Sequence, residues 1–158
     1  MSGAWRAAVA LTALGCAGSG GAFLVFSTLT ATALRRLPAA QAMAAMQQVN
    51  EAAPRSAVFM AVVFGPAVAG LVLAVRALAH RGEPHGALVV VGAVVYVVGV
   101  AGMTVVFHVP RNQALAALDP VVYASSWGSW FSSWVAGNHV RVVSAFVAAG
   151  LLMAGLRR

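Results

Sequence analysis

The sequence predicts an all-α integral membrane protein, a four-helix bundle with a short interfacial helix after span one and a polar, Trp-rich segment before span four. Three observations predict it. Apolar residues fill 61% of the 158 positions and charged residues only 8%, whereas a water-facing globular surface needs about 25% charged residues. Mean hydropathy is +0.89. The few charges also bracket long uncharged runs, and a bilayer-crossing helix needs about 20 mostly apolar residues. Disorder, a disulfide scaffold, a coiled coil and a soluble enzyme are excluded on these grounds.

Span one covers about 7–34, with no charge between Arg6 and Arg35. Leu14-Gly15-Cys16 resembles a lipoprotein cleavage site, but the apolar run continues well past Cys16, so a retained span is expected rather than a signal peptide. From Arg35 to Arg55 the chain reads as the interfacial helix: Pro38 suits a first turn, and 39–53 is rich in helix formers. Span two covers about 56–78, and Gly82 and Pro84 make the next link a turn. Span three covers about 86–107, framed by His85 and His108. Pro110 disfavours helix for the residue before it, so a break or bend is expected near His108. The stretch 110–134 is longer and more polar, with Trp127, Trp130 and Trp134 at helical spacing. Aromatic belts are the rule at membrane interfaces, so Trp127 and Trp130 are expected to be anchors. Span four covers about 135–156, with Asn138, His139 and Arg141 in its first two turns. Residues 1–158 are expected to form a single domain.

The net charge of +7 comes from ten arginines and no lysine. They stand singly or in pairs between apolar runs and form no basic stripe, so nucleic acid is not an expected partner. The lipid bilayer is, in a bacterial inner membrane, with the arginines setting topology and touching headgroups. Arginine is nearly balanced between the two sides; if Arg35, Arg36, Arg55 and Arg111 partly serve a site, both termini are cytoplasmic. Cys16, the single cysteine, permits no intramolecular disulfide and reads as an inert buried thiol. Helix surfaces rich in Ala and Gly suit a homo-oligomer.

With four spans, the first and third connections lie on the same side of the membrane. That side collects Arg35, Arg36, Gln47, Asn50, His108, Arg111, Asn112, Asn138, His139 and Arg141. Polar groups at membrane depth are expensive and mark functional sites by default. Trp134, Asn138 and Arg141, spaced four and three apart, share one helix stripe, with His139 a quarter-turn from Asn138. The plainer reading is an arginine snorkelling at the headgroups. His108 and Asn112 follow span three, where the plainer reading is a capped helix end with Asn112 starting a new helix. Met43, Met46, Gln47 and Asn50 fall on one face of the interfacial helix, plainly read as an amphipathic helix on lipid. His80 and His85 are expected in solvent. Metalloprotease, phosphate-loop and Ser-His-Asp signatures are missing. Three acids, Glu51, Glu83 and Asp119, cannot build a carboxylate-bridged di-metal site.

Several motifs together resemble the anthrone-oxygenase-like family of small four-helix membrane proteins. They are Phe26-Ser27, Leu34-Arg35-Arg36-Leu37-Pro38, Met46-Gln47-x-Val49-Asn50, Val109-Pro110-x-Asn112 and the run from Trp127 through Trp130 and Trp134 to Asn138-His139-Val140-Arg141. The resemblance covers nearly the whole chain, and the last motif is its most specific part. It implies the four-helix fold and, from a fungal branch, oxidation of anthrones to anthraquinones in polyketide pathways. The chain departs from the family pattern in three places. It has Thr32-Ala33 where Pro-Gly is frequent, His108 where Asn is common, and Gly137 where Trp is common. The last two predict a more basic and locally roomier pocket.

The expected function is therefore a membrane oxygenase or oxidase that uses dioxygen on an anthrone-like or polyketide-type hydroxyaromatic at one end of the bundle. An anthrone has an acidic methylene whose enolate can hand an electron to dioxygen, so a base and hydrogen-bond donors suffice and no cofactor is required. His108 or His139 is the expected base, with Asn112, Asn138 and Arg141 as donors. Met43, Met46, Gln47, Asn50, Arg111 and Trp134 are the expected substrate contacts. An alternative keeps the redox chemistry but adds haem or a copper or iron ion held by His108 and His139. A third reading is a non-enzymatic membrane binding or partner protein.

Overall fold

The computed structural model describes residues 2–80 and 86–156, and these form helices with no strand among them. Four helices are long and apolar enough to cross a membrane: α1 (Gly3–Arg35), α3 (Ala57–Ala79), α4 (Gly86–Ala116) and α5 (Trp127–Ala154), the last entered through a 3₁₀ turn at Ala124–Ser126. Helix α2 (Ala39–Arg55) links the first two. The protein is a helical integral membrane bundle, as its composition predicts.

Local chemistry sets the helix ends. Ser2 caps α1 by accepting the Trp5 amide, and Ser56 caps α3 by accepting the Phe59 amide. At the end of α1, the Arg36 and Leu37 amides turn back to the Ala33 and Leu34 carbonyls. Pro38 then takes an extended conformation (φ −52°, ψ 140°) and starts α2. Proline thus stands one place before the helix, not in its first turn, and it breaks the chain without a Pro-Gly pair. The link expected to contain Gly82 and Pro84 lies outside the described residues, as do His85 and the C-terminal arginines. His80 is exposed, its Nδ1 donating to the Arg76 carbonyl at 3.0 Å.

The polar connection expected at 110–134 is mostly helix. Span three runs on to Ala116 without a break at His108, and α5 begins at Trp127. Pro110 is tolerated because the turn before it, Thr104–His108, is a π-helix. In an α-helix the proline ring would clash with the carbonyl four residues back, and the wider turn makes room. Val109 accordingly keeps helical angles (φ −58°, ψ −50°), and Asn112 lies inside the helix rather than at a cap. Further π turns occur at Phe26–Thr30 and Val97–Gly102. Only 117–126 remain as a true connection, where Asp119 Oδ1 accepts the Val121 and Val122 amides at 2.8 and 3.3 Å.

The four long helices pack as a ring in which α5 touches α1 and α4, and α3 closes the circle between them. Val9, Cys16, Phe23, Val63, Leu73, Tyr96 and Leu152 belong to the central core. Cys16 is free and buried, and the Tyr96 hydroxyl donates to the Val63 carbonyl at 2.9 Å. Leu11, Leu14, Val58, Val72, Val98 and Val143 point outward, as a lipid-facing surface requires. Helix α2 lies across one end of the ring, against α4, α5 and the last turn of α1. Beneath it a second cluster joins Leu34, Ala42, Met43, Met46, Leu115, Trp127, Phe131 and Trp134. Trp127 is therefore not an exposed anchor: it is buried, with its ring stacked on Trp130 and Phe131 at 5.6 and 4.6 Å.

Close packing against α5 depends on small residues. A Cβ on Gly92 would lie 3.2 Å from the Ala148 carbonyl oxygen and from the Leu151 and Leu152 side chains. Gly150, on α5 itself, faces open space. Gly92→Val should destabilise the detergent-solubilised protein by about 1–3 kcal/mol through overpacking. Gly150→Ala should be neutral or stabilising by up to about 1 kcal/mol. Thermal unfolding of the two variants side by side checks both.

Candidate active site

All five helices contribute to one cavity of about 900 Å³ at the α2 end of the bundle. Phe23 and Phe26 come from α1, Asn50 and Gln47 from α2, and Phe59, Met60 and Phe64 from α3. Thr104, His108 and Asn112 come from α4, and Trp134, Asn138 and Arg141 from α5. The walls are largely apolar and aromatic, with a few polar groups set among them, the usual make-up of a small-molecule site.

Arg141 is the fifteenth of the 28 residues of α5, so about 20 Å of helix separates it from either end. It is 5% exposed and cannot snorkel to a headgroup. Its Nη2 donates to Asn138 Oδ1 at 2.6 Å and its Nη1 to Thr104 Oγ1 at 3.2 Å. The guanidinium carbon sits 4.1 Å from the Phe23 ring centre and 5.4 Å from that of Trp134, within cation–π range. Among the described residues no carboxylate comes within ion-pair distance of it. Glu51, also on the cavity wall, is held by Arg55 at 2.5 Å. Nε of Arg141 is buried without a partner.

Asn138 is completely buried and its polar valences are used. Its Nδ2 donates to the Phe23 carbonyl at 2.9 Å and to Ser27 Oγ at 2.6 Å, which turns Oδ1 toward Arg141. Phe23 lies three residues before the first π turn, and its carbonyl also accepts the Phe26 amide. The Nδ1 of His108 lies 3.2 Å from the carbonyl of Met103, which stands between two π turns. A carbonyl only accepts, so Nδ1 carries the proton and Nε2 carries the lone pair. That Nε2 is buried and unpartnered. The ring is fixed edge-on to Trp134 at 4.9 Å and to Phe107 at 5.1 Å. Trp134 in turn donates from Nε1 to Asn112 Oδ1 at 2.8 Å, which leaves the Asn112 amide nitrogen as its free donor.

The expected site residues divide accordingly. His108, Asn112, Trp134, Asn138, Arg141, Gln47 and Asn50 meet at the cavity; four others do not. Met43 and Met46 turn into the cluster beneath α2 and are fully buried there, because the apolar side of that helix faces the bundle rather than the void. Arg111 lies over the Phe107 ring at 3.9 Å, off the cavity wall. His139 is exposed and bonds its own helix at the Val135 carbonyl, 2.8 Å away, because its quarter-turn offset points it away from the stripe. Gln47 is on the wall, but its Nε2 donates to the Leu115 and Leu118 carbonyls, both at 2.9 Å. It closes the C-terminal end of α4 instead of facing a ligand. The space beside Gly137 is not a void: a Cβ there would meet Phe107 at 2.5 Å and Met103 at 3.0 Å. Ser27 and Thr104 were not among the expected site residues; only the Phe26-Ser27 motif hinted at the first, and nothing in the sequence singled out the second.

His108 and His139 do not face one another, so the expected two-histidine ligand set does not form. Among the described residues no group of three or more His, Cys, Asp or Glu is placed to hold a metal ion. The side chains present fit neither a metal ion nor haem clasped by that pair.

Fold and cavity define a helical membrane protein whose buried polar groups converge at one end of the bundle. The chain belongs to the anthrone oxygenase family, whose model matches residues 55–151, more than half of its length. The match takes in α3, α4 and most of α5, and so His108, Asn112, Trp134, Asn138 and Arg141; Phe23, Ser27, Gln47 and Asn50 precede it. Neither curated proteins nor solved structures gave a match.

Replacing Asn138 by Leu removes the partner of the Ser27 hydroxyl, one of the two partners of the Phe23 carbonyl and the acceptor of one Arg141 nitrogen. It should cost about 1–3 kcal/mol or more, since orphaned buried polar groups lose their full solvation. Ser27→Ala removes one partner and should cost about 1 kcal/mol. Unfolding midpoints in detergent test the ranking.

Proposed function

We propose that the protein is an integral membrane oxygenase that uses dioxygen to oxidise a hydroxyaromatic, anthrone-like molecule inside this cavity. The observation that carries the reading is the pairing of His108 Nε2, a buried lone pair with no partner, with the buried cation of Arg141 on the wall of one aromatic-lined cavity. Membership of the anthrone oxygenase family supports the reaction class.

The chemistry needs little else. His108 Nε2 takes a proton from the acidic methylene of the substrate. The negative charge moves to the substrate oxygen, where Arg141 and the free amide donors of Asn112 and Asn50 stabilise it. The electron-rich enolate passes an electron to dioxygen, and the resulting radicals combine at the former methylene carbon. Loss of the second hydrogen with cleavage of the O–O bond leaves one oxygen atom as a carbonyl and releases the other as water. One dioxygen is consumed for each CH₂ converted to C=O, with no outside reductant. Aromatic walls from Phe23, Phe26, Phe59 and Trp134 suit a flat substrate arriving from lipid and keep water from the charged intermediate.

Of the two histidines expected as base, the geometry favours His108. With an anthrone as substrate, His108→Ala should lower the rate of oxygen uptake by about 10²–10⁴-fold, the usual contribution of a positioned base. His139→Ala should leave it near the parent value. Equal activity of His108→Ala and the parent protein in an oxygen electrode would remove the base assignment.

A further inference from the structure

A ligand must pass between helices to reach the cavity, and the ring is weakest between α3 and α4. The two pack together along residues 86–102 of α4. There a Cβ on Gly70 would lie 3.4 Å from that of Ala93, and the Tyr96 hydroxyl holds the Val63 carbonyl. Beyond Gly102 the helices part, and residues 104–116 have no such packing with α3. The cavity fills the gap, with Phe59 and Met60 on one side and Thr104 and Val109 on the other. Its rim reaches the surface: Met60 is half-buried, and Ser56, Val109 and Gln113 are exposed. The exposed charges of Glu51 and Arg55 stand just outside this rim, and the exposed apolar side chains of Val58, Val105 and Val106 stand beside it. Such a level is where acyl chains meet headgroups, and amphipathic aromatic rings settle there.

The first half of α3, residues 57–65, is also the least supported wall. Its inner face borders the cavity. Its outer face borders a second hollow of about 560 Å³, lined by Val58, Ala61 and Gly65 and, from α1, by Gly15 and Gly18. One residue outside helix, Ser56, joins it to α2. At its other end stands Gly65-Pro66. Proline offers no amide to the Val62 carbonyl, and glycine adds backbone freedom. Pro66 itself is tightly seated, since a Cβ on Gly15 would lie 2.9 Å from its Cγ. A fixed pivot thus carries a half-helix with space on both faces.

We infer that the cavity is entered sideways from the bilayer, through the gap between α3 and residues 104–116, and that residues 57–65 are the wall that swings about Gly65-Pro66 to open it. The ligand class rests on the functional reading above; the route and the pivot go beyond it. A change of about 20° at the pivot, the size of an ordinary proline kink, moves the free end of this half-helix by about 5 Å. That exceeds the thickness of an aromatic ring, about 3.5 Å. The Tyr96–Val63 hydrogen bond lies near the pivot, where the rotation displaces it least.

The test uses the full chain in discs of phosphatidylcholine, with pairs of nitroxide labels whose separation is measured by pulsed EPR. Val58→Cys with Val143→Cys reports the half-helix against α5, across the ring. Val72→Cys with Met153→Cys reports α3 beyond the pivot. All four side chains are exposed, and the native Cys16 is buried away from the label. The first pair is expected to give two distances about 5 Å apart, and the second pair one. Gly65→Ala, whose added Cβ meets nothing within 4 Å, should stiffen the pivot and merge the two distances. A first pair as narrow as the second, or an unchanged spread in Gly65→Ala, overturns the moving wall.

The route is measured in the same discs, without oxygen, from the rate at which the hydroxyanthraquinone alizarin quenches tryptophan fluorescence at a pH where it is neutral. Its sulfonated analogue should associate about 10- to 100-fold more slowly, because a fixed charge is excluded from the bilayer. Gly65→Ala should slow association and dissociation of alizarin by one common factor, about 2- to 5-fold, and leave Kd unchanged. Equally fast association of the sulfonate overturns entry from the bilayer, and unchanged rates in Gly65→Ala overturn the pivot. Protein that shows the two distances but consumes no oxygen with an anthrone contradicts the oxygenase reading alone. Oxygen consumption by a protein with fixed distances contradicts only this inference.

Discussion

A guanidinium buried near the middle of a membrane helix, with no carboxylate beside it among the described residues, constrains everything around it. The charge costs several kcal/mol or more to hold at such depth unless polar and aromatic groups surround it. The fold supplies them from three helices: Thr104 from α4, Phe23 and, through Asn138, Ser27 from α1, and Trp134 from α5 itself. Those contacts bring the site ends of α1, α4 and α5 together. They also explain why Asn138 is more than a hydrogen-bonding convenience: its orientation is fixed from behind so that its oxygen meets the cation.

The π turns are the backbone counterpart of this arrangement. They lie at Phe26–Thr30 and on both sides of Met103, near the cavity, and Asn138 and His108 bond the neighbouring carbonyls of Phe23 and Met103. The Thr104–His108 turn admits Pro110 without breaking α4, which keeps Asn112 on the same helix as His108.

Helix α2 completes the chamber. It turns Met43 and Met46 into the bundle for adhesion, spends Gln47 on the open carbonyls at the end of α4, and leaves Asn50 at the wall. An amphipathic helix lying flat on headgroups would have shown the same residue pattern. What makes this one a lid is that the carbonyls of Leu115 and Leu118 lie within reach of Gln47.

The sequence by itself determined the membrane class, the four long helices and the helix after the first of them, because hydrophobic runs and the charges between them act locally and additively along the chain. It also determined the stripe of Trp134, Asn138 and Arg141, since spacings of four and three fix a helix face whatever surrounds it. Which way that face turned was a tertiary decision. Arg141 at the start of a short span would snorkel; Arg141 in the middle of a helix that begins at Trp127 cannot. Likewise His108 and His139 are equal candidates in the written order, and only packing turns one into the chamber and the other outward. The partners Ser27 and Thr104, the π turns and the filling of the Gly137 gap by Phe107 all join residues far apart in sequence or alter the helical period itself. No local pattern encodes them, because each depends on a neighbouring helix being there to take up the bond or the space.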